Sequence, residues 1–344
     1  MSELNVFQES TQRQILSELQ ATNAFVSILA KNYDIDGWEA AFEIGRSGAA
    51  DKILTSGDQF IGKYIINGTE YSCPWDVLGF RDVVALVNGQ EKTYKNAPII
   101  QMHYTTHENQ PFDPAEPVEA DEATAQTGVY YCGYDGTNYT MLNLSTGDNI
   151  PYSSYTKVYK TKYNSVNAIR YGNSEWQYSW LRQYLNNSGT GWAQKMYPFD
   201  VLPNNADAIN GFMTYIDSEL SGNLHPVKIH TKQATYTGSG LIETWDKFWP
   251  LSVSEMNMQN SNASPDDGEP LAYYKTLLES ATKVNTGTYA ALIKYAVNNT
   301  TSAQFVRLRS ASLGYGVWVV GSSGTVSSGT PNYSYRSAPA CALV

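Results

Sequence analysis

The spacing of apolar positions changes character along the chain. From Ser10 or Thr11 to about Lys31, Ile15, Leu19, Thr22, Val26 and Leu29 recur at alternating steps of four and three. That is heptad spacing, and it predicts a helix. Leu16, Phe25 and Ile28 widen its apolar face beyond a narrow seam. Such a face needs a partner: other copies of the chain, as in a short parallel trimer seamed by Ile15, Leu19, Val26 and Leu29, or the protein's own body. Asn32 to Gly37 interrupts the pattern. A second short helix is expected from Trp38 to Arg46, stopped by Ser47-Gly48.

Beyond residue 50 the period shortens to two. Asp58 to Ile66 reads as a strand, Asn67-Gly68 as a hairpin turn and Thr69 to Cys73 as the return, with Pro74 to Phe80 a further extended piece. Gly128 to Tyr134 and Tyr139 to Leu144 form a second hairpin around Asp135-Gly136. Between them Pro111 to Glu122, rich in Asp, Glu and Pro, reads as a surface loop. Helical spacing returns twice. Trp180, Leu181, Tyr184 and Leu185 share one face, and Ile209, Phe212, Met213, Ile216 and Leu220 lie within an amphipathic helix expected from Asn204 to Leu220. Ile229 to Ala234 reads as a strand. The fold class is therefore α+β: an N-terminal helix, a β-rich middle and a C-terminal domain. The divisions are 1–50, 51–150 and 151–344, with a soft boundary between Tyr152 and Asn173 and a single domain over 51–344 as the alternative.

Composition narrows the function. The 344 residues are 42 % hydrophobic and only 16 % charged, with 26 Tyr and 8 Trp. Tyr mixed with Ser, Gly and Asn makes adaptable contact surfaces, although Tyr also suits strands. A net charge of −10 and the lack of a basic run argue against nucleic acid as a partner. No run of 18 apolar residues predicts membrane insertion, and the start at Met1 shows no secretory signal. Cys73, Cys132 and Cys341 are an odd set without close spacing, expected to be small buried groups.

Candidate chemistry is sparse. His103, His107, His225 and His230 are the histidines, and none lies in a nucleophile-base setting. His103 and His107 would share a helical face, but Ile99 to Thr106 reads as a strand, where that spacing separates them by about 13 Å, too far for one ion. Asp266, Asp267 and Glu269 follow an Asn- and Ser-rich turn. They are the candidate calcium ligands, with a solvated turn as the other reading. No other metal or cofactor is expected.

The C-terminal segment carries a resemblance. Phe305 to Ala311 is an apolar strand with Arg307 and Arg309 at alternate positions. A Gly/Ser turn, the aromatic strand Tyr315 to Gly321 and the ending Tyr335-Arg336-Ser337-Ala338-Pro339-Ala340-Cys341 follow. With Gly57 to Gln59, Pro74 to Leu78, Ser179 to Asn186, and Asp246, Trp249, Leu251, Ser252 and Glu255, these segments resemble a C-type-lectin-like domain. The branch is the formylglycine-generating-enzyme-like one, as an uncharacterised domain common in gut-bacterial tailed phages and prophages. The resemblance implies a non-enzymatic structural protein of a phage virion, a homo-oligomer decorating capsid or tail beside other virion proteins. It would bind a host-surface glycan or protein. In that family the Arg-containing strand is central to the core, its Arg buried against carboxylates or carbonyls. Tyr315, Trp318, Asn332, Tyr333 and Tyr335, with Asn298 and Asn299, fall where relatives display ligand contacts, or else they pack the core. A bacterial lectin-like adhesin is the first alternative. The second, a formylglycine-generating oxidase, would need a reactive cysteine pair, and Cys341 has no neighbour in sequence.

Overall fold

The computed structural model describes residues 37–121, 125–145, 147–150, 152–234, 240–258, 267–278, 288–312 and 315–344. The heptad helix with Ile15, Leu19, Val26 and Leu29 lies outside these residues, as does Asp266.

The first described helix, α1 (Trp38–Arg46), buries Trp38, Ala40, Ala41, Phe42, Ile44 and Gly45 and stops at the left-handed Gly48. A hairpin follows, β1 (Gln59–Ile66) and β2 (Thr69–Val87). It is turned by Asn67 and Gly68, both at positive φ as a type I′ turn requires. The return strand does not end at Cys73. It runs 19 residues as one element. Asn88-Gly89, also at positive φ, then leads into β3 (Gln90–Met102). Bulges between Val77 and Gly79 and between Arg81 and Val83 bend this long ribbon.

After β4 (Gln110–Pro111), a four-stranded sheet forms from β5 (Val118–Glu119), β6 (Tyr130–Tyr134), β7 (Tyr139–Leu142) and β8 (Lys157–Thr161), in the order β5-β8-β6-β7. Helices α2 (Val166–Tyr171) and α3 (Trp180–Leu185) follow, each capped by a serine hydroxyl, Ser165 and Ser179. The amphipathic helix expected over 204–220 is not continuous. It breaks into 3₁₀ turns at Ala206–Ala208 and Phe212–Thr214, then α4 (Ser218–Asn223). Tertiary backbone bonds supply the reason. Gly211 N donates to Gly189 O at 2.8 Å and Met213 N to Asn187 O at 3.0 Å, so these amides bond elsewhere than in a helical ladder.

Next come β9 (Val227–Lys232), β10 (Leu241–Asp246), β11 (Trp249–Pro250), α5 (Ala272–Leu277) and the hairpin β12 (Lys294–Ala296)/β13 (Asn299–Gln304). β14 (Val306–Ala311), β15 (Val317–Val320) and β16 (Val326–Gly329) make a three-stranded sheet. β17 (Ser334–Tyr335) pairs β4, and β18 (Pro339–Ala342) ends the series.

The main sheet has the order β10-β9-β2-β3-β18-β11, with β1 on β2, so it takes strands from both sides of residue 150. One apolar core runs continuously from Trp38 to Val344 around Trp75, Trp176 and Trp249. Smaller clusters sit around Tyr131 and Tyr159 in the four-stranded sheet. The protein is β-rich α+β.

The acidic stretch after Pro111 is not a solvated loop at its start. Asp113 is 1 % exposed and Glu116 fully buried. The Asp113 carboxylate accepts Asn173 N at 3.0 Å and Trp180 N at 3.1 Å. Glu116 accepts the Tyr197 hydroxyl. Backbone amides on Asp113 and a buried hydroxyl on Glu116 hold the two carboxylates inside.

Candidate functional site

Three aromatic rings gather at the surface where β13 gives way to β14 and where the 330–335 loop passes. Phe305 and Tyr335 stack with centroids 5.2 Å apart and planes 17° apart. Tyr333 meets Tyr335 edge-on at 6.3 Å. Tyr333 is 58 % exposed and Phe305 43 %, while Tyr335 is half-buried between them. Exposed rings in contact are a surface to which apolar sugar faces or side chains adhere.

The surface is held from beneath by Arg307. Its Nη2 donates to Thr330 O at 3.1 Å and Tyr333 O at 2.9 Å, and its Nη1 to Val317 O at 3.3 Å and Gly329 O at 3.4 Å. The guanidinium lies 4.6 Å from the Tyr335 ring centre. Its fixed fork therefore ties β15, β16 and the loop together. Burial, against only carbonyl and ring partners, pulls its pKa down to about 9.

The predicted site residues part company here. Tyr333 and Tyr335 join the exposed stack. Asn332 sits on the same loop; its side-chain oxygen accepts Thr330 Oγ1 at 2.7 Å and its backbone N donates to Tyr171 O at 2.9 Å. Tyr315 stacks on Tyr171 at 4.9 Å, so that bond ties a second ring pair to the first loop. Trp318 does not face out. It is 8 % exposed and belongs to the core, because its strand β15 lies between β14 and β16 and is buried at all four positions. Asn298 and Asn299 are exposed on the neighbouring hairpin. Phe305, the partner of Tyr335, and Arg307, its support, complete the surface. The alternation of Phe305, Arg307 and Arg309 was the only local sign of them.

Two of the three candidate calcium ligands, Asp267 and Glu269, are among the described residues. Asp267 is buried, its carboxylate accepting Ser310 Oγ and Lys232 N, whereas Glu269 is exposed. Burial pushes Asp267 up to about 6, and Arg309 and the Ser310 bond only partly reverse it. Among the described residues no group of three or more His, Cys, Asp or Glu side chains could hold a metal ion. His103 and His107 lie in the turn after β3, not in the strand, and find separate partners. His107 Nδ1 meets the Tyr64 hydroxyl at 2.9 Å, and burial lowers its pKa to about 4. His103 Nδ1 lies 2.9 Å from the buried Asp76 carboxylate, which also accepts Gln59 Nε2 at 2.7 Å. The hydrogen bonds from His103 and Gln59 and the charge of Lys294 outweigh burial and hold Asp76 below its ordinary value. The three cysteines are free and buried.

The other motif residues form internal polar clusters. Arg182 Nε bonds Asp246 Oδ1 at 2.6 Å, and the same carboxylate takes Trp176 Nε1 at 2.8 Å and Thr244 Oγ1 at 2.6 Å. Asn186 Oδ1 accepts Lys247 N and Phe248 N at 2.7 and 3.1 Å. Ser252 and Glu255 cap each other, side chain to backbone N, both at 3.0 Å. Glu255 then pairs with the buried Arg309, and with Arg81 at 2.7 Å. The two guanidiniums overcome burial and hold Glu255 down to about 2. These polar residues clamp helix α3, strand β14 and the chain after β11.

The geometry thus defines a β-rich domain with an exposed aromatic surface and a polar internal clamp. The model of a domain family of unknown function, DUF6273, matches residues 153–344. That is more than half of the chain, and the chain belongs to this family. No curated protein and no solved structure matches it.

Proposed function

We propose that this protein is a non-catalytic adhesion component of a tailed-phage virion. Its C-terminal part would be a C-type-lectin-like domain facing a host-surface glycan or protein, and its N-terminal region, 1–50, would attach and oligomerise it. The motif resemblance supports the particle and the lectin-like scaffold. One observation carries the binding reading: Phe305, Tyr335 and Tyr333 form a contiguous exposed stack whose geometry Arg307 fixes from below. A soluble domain gains nothing in core stability from such rings, whereas a ligand face gains contact area at low rotamer cost. Among the described residues the stack has no carboxylate partner, so the ligand it suits is an apolar sugar face or an aromatic-rich protein patch. Arg307 acts here as a positioning residue.

The test is binding of the full chain to a glycan array and to host-cell envelopes, beside Tyr333→Ala and Phe305→Ala. Both side chains are exposed, so melting temperature should hold while retention falls roughly tenfold, the scale of one lost aromatic contact. Retention that is equal in wild type and both variants overturns the reading. Immunogold labelling of purified particles decides the virion assignment.

A further inference from the structure

A cleft of about 300 Å³ opens between β2 and β9, away from the residues of the aromatic stack. The two strands pair at a single point, Ala85 with Val227, and the cleft lies along the residues where the ladder is not continued. Val83, Val227 and Ile229, all buried, supply its apolar wall. Its polar wall is unusual in charge. The one buried carboxylate of Glu255 is shared by two guanidiniums, Arg309 on Oε2 and Arg81 on Oε1. Arg309 is 1 % exposed and uses both terminal nitrogens, so it stands behind Glu255 as a buried support. Arg81 gives Nη1 to Glu255, keeps a side chain 23 % exposed and lines the cleft. Glu269 stands exposed at the rim.

A guanidinium fork already fixed on one side presents its free N–H groups in the geometry a second carboxylate fits. A volume at the lower end of ligand sites, with an apolar wall beside the charged one, suits a single ring carrying one acid group. We propose that this cleft binds a small carboxylate-bearing ligand of the acidic-monosaccharide class. Its carboxylate takes the outward N–H groups of Arg81, which the Glu255–Arg309 pair behind it holds in place, its ring lies on the valine and isoleucine wall, and its hydroxyls reach Glu269. The ligand is a free sugar acid or the acidic residue of a longer glycan; the chemistry recognised is the same. The site is independent of the aromatic stack.

The experiment titrates the full chain, by NMR shift and calorimetry, with glucuronate, its methyl ester, glucose and a glucuronate-bearing tetrasaccharide. Saturable glucuronate binding is expected, with the ester and glucose weaker by about tenfold or more, the loss expected for a charge-assisted pair. Arg81→Met should abolish the preference and Arg81→Lys should keep part of it. Val84→Trp, on the cleft lining but outside the ion cluster, should block binding with little change in melting temperature, and it decides the matter if Arg81→Met fails to fold. Tighter binding of the tetrasaccharide marks a glycan-borne ligand, and equal binding marks the free acid; either supports the site. Glucuronate that shows no saturable shift, that binds no better than its ester, or that binds Val84→Trp undiminished overturns it. Tyr333→Ala should leave glucuronate binding unchanged, which separates this site's failure from that of the aromatic face.

Discussion

Single residues decide how this protein meets pH. Glu255 is the counter-ion of Arg309 and Arg81, all in or beside the core. Glu255→Gln would leave two guanidiniums facing a neutral group, and breaking a buried pair from one side costs about 3 kcal/mol or more. Urea unfolding should show that loss. Glu255 is held down to about 2 when folded, against an ordinary value near 4.5. Its stabilisation is therefore present above about pH 4.5 and is lost as pH falls toward 2. Glu116 runs the opposite way. Burial lifts it to about 8, opposed by the Tyr197 bond, and Asp200 adds to the rise. The folded state keeps its proton where the unfolded chain has lost it, so the Glu116 contribution to stability is fully present below about pH 4.5 and is lost as pH rises through 8. Asp267, lifted to about 6, adds in the same direction. Melting temperature should thus be higher at pH 5 than at pH 8.5, and Glu116→Gln should flatten that slope while leaving the acid limb intact. A slope unchanged in Glu116→Gln would assign it elsewhere. None of this was legible in the sequence, where Asp113 and Glu116 look like any acidic Pro-rich loop. Burial of a carboxylate is set by which distant amides and hydroxyls reach it.

At the scale of elements, local chemistry was readable where it is local. Asn67-Gly68 demanded a type I′ turn and made one, and Asn88-Gly89 carries the same signal. Trp38 to Arg46 and Ser179 to Asn186 became helices with the stops and caps their residues specify. The stretch 204–220 had helical spacing and failed, because Gly189 and Asn187 compete for its amides. Trp318 takes the second of its two readings, core packing, because an apolar run such as Val317 to Val320 does not reveal whether one face or both are covered. Helix α1 offers a test of how closely elements approach. Gly45 faces the chain after β18, and a Cβ there would lie 1.8 Å from Leu343 O. Helix propensity alone favours Ala over Gly by about 1 kcal/mol. The collision with backbone should reverse that sign, so Gly45→Ala should lower the melting temperature by several degrees, on the order expected for about 1–3 kcal/mol of overpacking. A rise in melting temperature would show that the C-terminal residues do not dock on α1 so tightly.

Across the whole molecule, the main sheet is assembled from segments far apart in sequence. β18, from the last residues, lies between β3 and β11 and pairs Cys341 with Ile100 and Ala340 with Trp249. Residues 340–344 are all buried, and Leu343 and Val344 complete the core beside α1. The family signature begins near residue 153, yet the strands completing its sheet come from residues 59–102. A sheet closed by its last strand has high contact order, so its ladder cannot form until loop-closure entropy is met over most of the chain. Removing residues 339–344 should therefore do more than fray an end. It would expose the edges of β3 and β11 and strip apolar area from the shared core. Hydrogen exchange in that truncated chain should show lost protection in β2 and β3, more than two hundred residues away in sequence, together with β11. The hairpin β6–β7, in the four-stranded sheet with its own small clusters, should keep its protection longest. Protection lost only around β11 would mean that the central hairpin is stable without its closing strand, and that the protein folds as separable halves.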